Sequence, residues 1–254
     1  MPAKTIDEVL DQLDDIIAIS KREAAMGGYF AALYRRVTAG VKTGIAEGRF
    51  EDGVRMEQLD VCFANRYIEA WEQHRRSDNP TTAWLYTFRI ADAKRGLILQ
   101  HLLLGMNAHI NLDLAIAAAQ TAPGAAYPAM ERDFMAINAL LATLYSDTEY
   151  ALTEAFPPLR LLRLLNRKPM AEAVSNFSIV KARQAAWEAG KRLAVLSSKL
   201  QAPEIATLDQ STTTLAGMIY NGAYDLTTLY KTIRMAEKAE VPAIIELIET
   251  ATAP

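Results

Sequence analysis

Two of the three histidines of this chain lie with an aspartate in one apolar stretch, His101-Leu-Leu-Leu-Gly-Met-Asn-Ala-His-Ile-Asn-Leu-Asp113. At about 100° per residue of an α-helix, His101, His109 and Asp113 fall within one sector of the helix surface. Asp113 follows His109 by four residues, so its carboxylate can hold the imidazole in one tautomer, as a base or a metal ligand requires. The spacing therefore predicts a catalytic group of His109, Asp113 and His101 that faces one cavity.

The same cluster has other interpretations, which the sequence leaves open. Buried polar groups are usually paired for structural reasons, so these residues could form an internal network that only fixes helix packing. They could equally line a binding cavity without doing chemistry. His101 and His109 are about 12 Å apart along a helix axis, too far to share one ion, so a single divalent metal would need ligands from other helices.

Further polar residues are candidates for contact with a small, largely apolar or anionic ligand. Arg183 lies on the apolar face of its predicted helix, and a buried guanidinium needs either a carboxylate or an anionic ligand. An ion pair with Asp60 or Asp113 is the structural alternative. The candidate substrate-binding residues are Arg183, Asn107, Asn111, Asp60 and Tyr67, whereas Tyr34, Arg35, Asn65 and Arg66 are interpreted as surface or interhelical contacts.

The elements that must position these residues are helices. Apolar residues recur three and four apart along the chain, and most of the 12 glycines and 10 prolines fall between the apolar runs. The pattern predicts an all-α fold: one helical domain over residues 1–254, with about eight or nine helices in a bundle around a buried central helix. The predicted helices lie near residues 6–27, 29–45, 55–76, 82–120 with an interruption near Gly96, 128–155, 159–166, 170–200, 204–239 and 243–251.

Composition excludes several classes of function. Lys and Arg total 27 against 30 Asp and Glu, a net charge of -3, so no positive field would attract nucleic acid. The first thirty residues lack the apolar region of a secretory signal, and no stretch reaches the roughly twenty uncharged apolar residues of a transmembrane helix. With one cysteine, Cys62, no internal disulfide is possible. We expect a cytoplasmic protein that binds a small molecule and can form homo-oligomers.

Four segments together resemble a bacterial family that is classified only as a domain of unknown function. They are Gly28-Tyr-Phe-Ala-Ala-Leu-Tyr-Arg-Arg36, Phe50-Glu-Asp-Gly53, Asp60-Val-Cys-Phe-Ala-Asn-Arg-Tyr67 and the stretch from His101 to Asp113. The resemblance spans most of the chain and implies that the whole chain is one family domain. It brings no activity or ligand with it.

The short piece His109-Ile-Asn-Leu-Asp113 is also similar to helices of the all-α zinc-dependent phospholipase C group. That group uses several histidines from several helices, whereas this chain has three histidines in all. The similarity is therefore compatible with a single metal ion or with a metal-free His/Asp pair. The sequence predicts an enzyme of the hydrolase, lyase or cyclase type, and the alternative is a helical protein that binds a small molecule or is purely structural.

Overall fold

The computed structural model of the protein describes residues 1–157, 159, 179–221 and 227–252. These residues form ten α-helices and no strand, which confirms the prediction of an all-α helical bundle. In chain order the helices are α1 (Ile6–Glu23), α2 (Gly28–Ala46), α3 (Gly53–Arg75), α4 (Thr82–Asp92), α5 (Ile98–Thr121), α6 (Glu131–Ala155), α7 (Ile179–Ala194), α8 (Ser198–Asn221), α9 (Thr227–Ala236) and α10 (Val241–Thr250).

Local signals in the sequence account for several helix ends. The Thr5 hydroxyl accepts a hydrogen bond from the Glu8 amide at the start of α1, and the Asp52 carboxylate does the same at the start of α3. The interruption predicted near Gly96 separates α4 from α5. Lys94 and Gly96 adopt left-handed backbone angles there, with φ of 49° and 92°.

Later in the chain the predicted boundaries need correction. A break was expected between residues 200 and 204, at Pro203, but the break lies at residues 195–197 and α8 already begins at Ser198. The Ser197 carbonyl accepts hydrogen bonds from the Leu200 and Gln201 amides and so starts the helix before the proline. Pro203 then lies in the second turn, where its missing N–H removes one bond. The predicted helix over 159–166 falls almost entirely outside the described residues.

The central helix of the bundle is α5, which contacts α2, α3, α4, α7 and α8. By length and composition it could cross a membrane, but 94% of its apolar window is buried inside the protein, as the core helix of a bundle would be. Glycine allows α2 to pack closely against this helix: a Cβ at Gly105 would overlap the ring of Phe30 on α2. The two helices therefore touch directly beside His109.

One turn of α5 is a π-helix, from His109 to Asp113. The Leu114 amide donates to the His109 carbonyl, five residues back, so one extra residue is accommodated in this turn. Isolated π-turns within α-helices are uncommon and occur frequently at functional sites. A constant 100° per residue does not predict this turn, and the turn carries two of the three candidate catalytic residues, His109 and Asp113.

Candidate functional site

The carboxylate of Asp113 joins three side chains in the core. It accepts hydrogen bonds from Nε of Arg66 at 2.9 Å and from Nε1 of Trp84 at 2.8 Å, and its Oδ2 lies 3.2 Å from Nδ1 of His109. Because the carboxylate can only accept, it fixes the neutral imidazole as the tautomer with the proton on Nδ1. The remaining ring nitrogen, Nε2, is then an acceptor; it is buried and has no hydrogen-bond partner in the described part of the chain.

Aromatic rings surround the imidazole of His109. The ring of Phe63 stacks on it at a centroid distance of 3.5 Å, and the ring of Tyr34 meets it edge-on at 4.4 Å. Burial lowers the pKa of His109, while the neighbouring Asp113 opposes that shift. The lowered pKa leaves the ring neutral at pH 7, with the lone pair of Nε2 available as a base.

His109 lies on the wall of an apolar cavity between α2, α3, α5, α6 and α7, which we call the site cavity. Its empty volume, counted together with the open space at its mouth, is about 770 Å³. Most of its lining is aliphatic or aromatic, and the ionisable or hydroxyl side chains among the lining residues are those of Tyr34, Asp60, His109, Tyr145 and Arg183.

Asp60 and Tyr34 place two further polar groups on this wall. Oδ2 of Asp60 is buried and has no hydrogen-bond partner among the described residues, whereas the buried hydroxyl of Tyr34 lies beside the side chain of Thr38, whose hydrogen bond opposes the rise in the tyrosine pKa. Burial, with a smaller contribution from Glu57, raises the pKa of Asp60 to about 8, so the carboxyl is mainly protonated at pH 7. Burial also raises the pKa of Tyr34 well above its ordinary value, and the charge of Asp60 adds to that shift. Both groups are neutral donors at pH 7.

Arg183 forms neither of the ion pairs that were expected for it. Its Nε donates to Oδ1 of Asn138 at 2.6 Å and its Nη2 donates to the carbonyl of Phe134, both on α6. The carboxylate of Asp113 is bound by Arg66 and Trp84 instead. Arg183 nonetheless lines the site cavity, at 3% exposure.

The structure places the other predicted site residues away from this cavity. His101 lies in a separate small cavity with Tyr67 and Trp84, and burial lowers its pKa to about 4. Asn107 donates to the carbonyl of Thr212 on α8 and accepts from Asn111, so this pair ties α5 to α8. Asp113 lines a third pocket, a polar one at the surface beside Arg66. His101, His109 and Asp113 therefore do not share one cavity.

A metal site does not fit this arrangement. Nδ1 of His109 is bonded to Asp113, which leaves one imidazole nitrogen and the carboxyl of Asp60 as ionisable donors on that part of the wall. Within the described residues, no group of three or more His, Cys, Asp or Glu side chains could hold a metal ion. Protein metal sites of the zinc type take at least three such ligands.

Several residues of the site were missed by the sequence analysis. Tyr34 and Arg66 were interpreted as surface or interhelical contacts, yet one contacts the ring of His109 and the other binds Asp113. Trp84 was not predicted as a site residue, although its indole N–H donates a hydrogen bond to the carboxylate of Asp113. The predicted burial of Asp113 was a usable signal, because a buried carboxylate needs donors from neighbouring helices.

A model of a family of unknown function, DUF5995, matches residues 6–222. That range includes every residue named above for the site cavity and for the Asp113 cluster. No curated protein and no solved structure matches the chain. The function therefore has to be argued from the chemistry of the cavity itself.

Proposed function

We propose that this chain, which belongs to the family of unknown function DUF5995, binds a small, largely apolar molecule in the site cavity and exchanges a proton with it through Nε2 of His109. One observation carries the proposal: in His109, a residue that lines the cavity, Nε2 is buried without a hydrogen-bond partner among the described residues, while the other ring nitrogen is bonded to Asp113. A buried polar atom without a partner costs about 1–3 kcal/mol. A ligand that brings a hydrogen to Nε2 removes that cost.

His109 has the protonation state of a general base at neutral pH. Its lowered pKa keeps the ring unprotonated. When Nε2 takes up a proton, the carboxylate of Asp113 stabilises the imidazolium through Nδ1. Asp113 is in turn held by Arg66 and Trp84, so it acts as a positioning residue and does not touch the ligand.

Tyr34 and the protonated Asp60 suggest which proton is transferred. A carboxylic acid kept neutral by apolar surroundings can, together with a tyrosine, donate hydrogen bonds to a carbonyl oxygen that becomes negative during the reaction. Here both donors line the same cavity as the base, and Oδ2 of Asp60 has no other partner among the described residues. We therefore propose proton abstraction from a carbon next to a carbonyl as the class of reaction.

Exchange of the α-hydrogens of 2-octanone in D₂O, followed by proton NMR, tests this proposal. In the expected cycle, Nε2 of His109 removes an α-proton, the carbonyl oxygen takes the negative charge, and a deuteron returns to the carbon. We expect the wild-type protein to exchange these hydrogens about 100-fold faster than His109→Gln, because general base catalysis contributes at least this much.

His74→Gln is the matched control, since it makes the same change at a histidine that is partly exposed and bonded to Asp92. It is expected to retain the wild-type rate, and circular dichroism checks the fold of both variants. Equal rates in wild type and His109→Gln would contradict the base role. Binding of 2-octanone without any acceleration would instead favour a binding protein, the second function that the apolar lining of the cavity supports.

A further inference from the structure

Arg183 is a cation buried against an apolar cavity. Its side chain is 3% exposed, it lines the site cavity with Ile137, Leu141 and Ile179, and its guanidinium lies 4.5 Å from the centre of the Phe134 ring. Burial lowers its pKa to about 9, which still leaves it charged at pH 7. The cavity therefore carries a positive charge on one part of its wall and neutral donors on another.

Neither protein partner of this guanidinium carries a charge. The acceptors of Nε and Nη2 are an amide oxygen of Asn138 and a backbone carbonyl, and the described residues supply no carboxylate to it. Burying a charge without a counter-ion costs several kcal/mol, and buried arginines are accordingly almost always paired.

We infer that the ligand of the site cavity is an organic acid, whose carboxylate binds the guanidinium of Arg183 while its apolar body fills the cavity toward His109. The inference rests on the proposed function, since it assigns the charged end of the same ligand. A carboxylate supplies the missing countercharge and matches the planar donor geometry of arginine. Arg183 is the only Lys or Arg among the residues that line the cavity in the described part of the chain, which suits a monoanion better than a phosphate dianion.

A purely structural role for Arg183 makes a different prediction. Its two bonds to α6 connect that helix to α7, and such a connection needs only hydrogen-bond donors. If Arg183 were purely structural, its removal would lower the stability of the protein, and the cavity would bind charged and neutral ligands of the same shape equally well. The preference of the cavity for an anion over a neutral molecule of the same shape therefore separates the two roles.

Calorimetric titration with octanoate and with octanamide, its neutral counterpart, measures this preference. We expect octanoate to bind the wild-type protein about 10- to 100-fold more tightly than octanamide, the range expected for a hydrogen bond to a charged group. Arg183→Gln should abolish the preference, so that octanoate and octanamide bind with similar affinity, while Arg183→Lys should retain part of it. Arg35→Gln, which removes a surface arginine bound to Asp14, should retain all of it.

Three results would overturn the inference: octanamide binding as tightly as octanoate to the wild type, a preference that survives in Arg183→Gln, or no binding of octanoate, hexanoate or decanoate. The first and third need no variant, so they decide the question even where Arg183→Gln does not fold. Failure of the proposed function is distinguishable, because the exchange of 2-octanone in wild type and His109→Gln involves no charged ligand.

Discussion

Replacing Asp113 by alanine is expected to lower the free energy of unfolding by about 3–5 kcal/mol, the usual cost of removing one partner of a buried charged group. The carboxylate is 1% exposed and binds Arg66, Trp84 and His109. Without it, two buried N–H groups lose their acceptor and the guanidinium of Arg66 loses its counter-ion. The three donors come from α3, α4 and α5, so this single substitution removes a connection between three helices.

Urea unfolding at pH 7, followed by circular dichroism, measures this effect. Asp14→Ala is the control, because it also removes a carboxylate bound to an arginine, Arg35, but on the surface. An exposed pair contributes about 0–1 kcal/mol, so the control should differ little from wild type. A loss at Asp113→Ala as small as that of the control would contradict the arrangement described for the site.

Replacing Asp60 by asparagine is expected to stabilise the protein at pH 8 by about 2–5 kcal/mol and to have little effect near pH 4. The folded protein holds the carboxyl proton up to a pKa of about 8, whereas the unfolded chain releases it near 3.9. Between these values the unfolded state binds fewer protons, so the contribution of Asp60 to stability falls as the pH rises. Asparagine has nearly the same shape and remains neutral throughout.

The difference in unfolding free energy between the two proteins, measured from pH 4 to pH 8, is the informative quantity. Other buried groups titrate in the same range, including Glu237 with a pKa raised to about 7 and His101 with a pKa lowered to about 4, and they cancel in the difference. Asp11→Asn, at an exposed position, should differ from wild type by less than about 0.5 kcal/mol at every pH. A constant difference for Asp60→Asn would contradict a raised pKa.

If the substitution Asp60→Asn stabilises the protein, that result would be consistent with a functional role for Asp60. Residues of binding and catalytic sites often reduce stability, because they present polar groups that only the ligand satisfies. Asp60 and His109 each leave a buried polar atom without a partner among the described residues, and both residues line one cavity. Removing such a group should therefore stabilise the free protein, in contrast to removing Asp113, whose bonds are all made within the protein.

The sequence was sufficient to predict the helices and much of the pairing within α5. Periodicity and capping residues placed α1 to α6, and the spacing of four residues correctly brought Asp113 to His109. The prediction that Arg183 and Asp60 point inward agrees with their burial. These features depend on one helix at a time, and the 3.6-residue repeat carries that information.

The contacts between helices could not be predicted from the sequence. Two of the hydrogen-bond donors to Asp113, Arg66 and Trp84, come from α3 and α4. The periodicity within either helix does not indicate that these two side chains meet at Asp113. The π-turn was equally hidden, since it depends on tertiary packing and has no compositional signal. The expectation that His101 shares the cavity of His109 failed for the same reason: packing against α2 places Phe30 on the walls of both cavities.

The position of the proton on the imidazole of His109 is the most direct test of the proposed role of this residue as a base. Nitrogen-15 NMR of the labelled histidines, with the signals of His109 identified by their loss in His109→Gln, reports which ring nitrogen carries the proton. We expect a mainly neutral ring at pH 7, with the proton on Nδ1 and an Nε2 resonance that shifts when octanoate is added. A proton on Nε2 at pH 7, in either the neutral or the charged ring, would contradict this role.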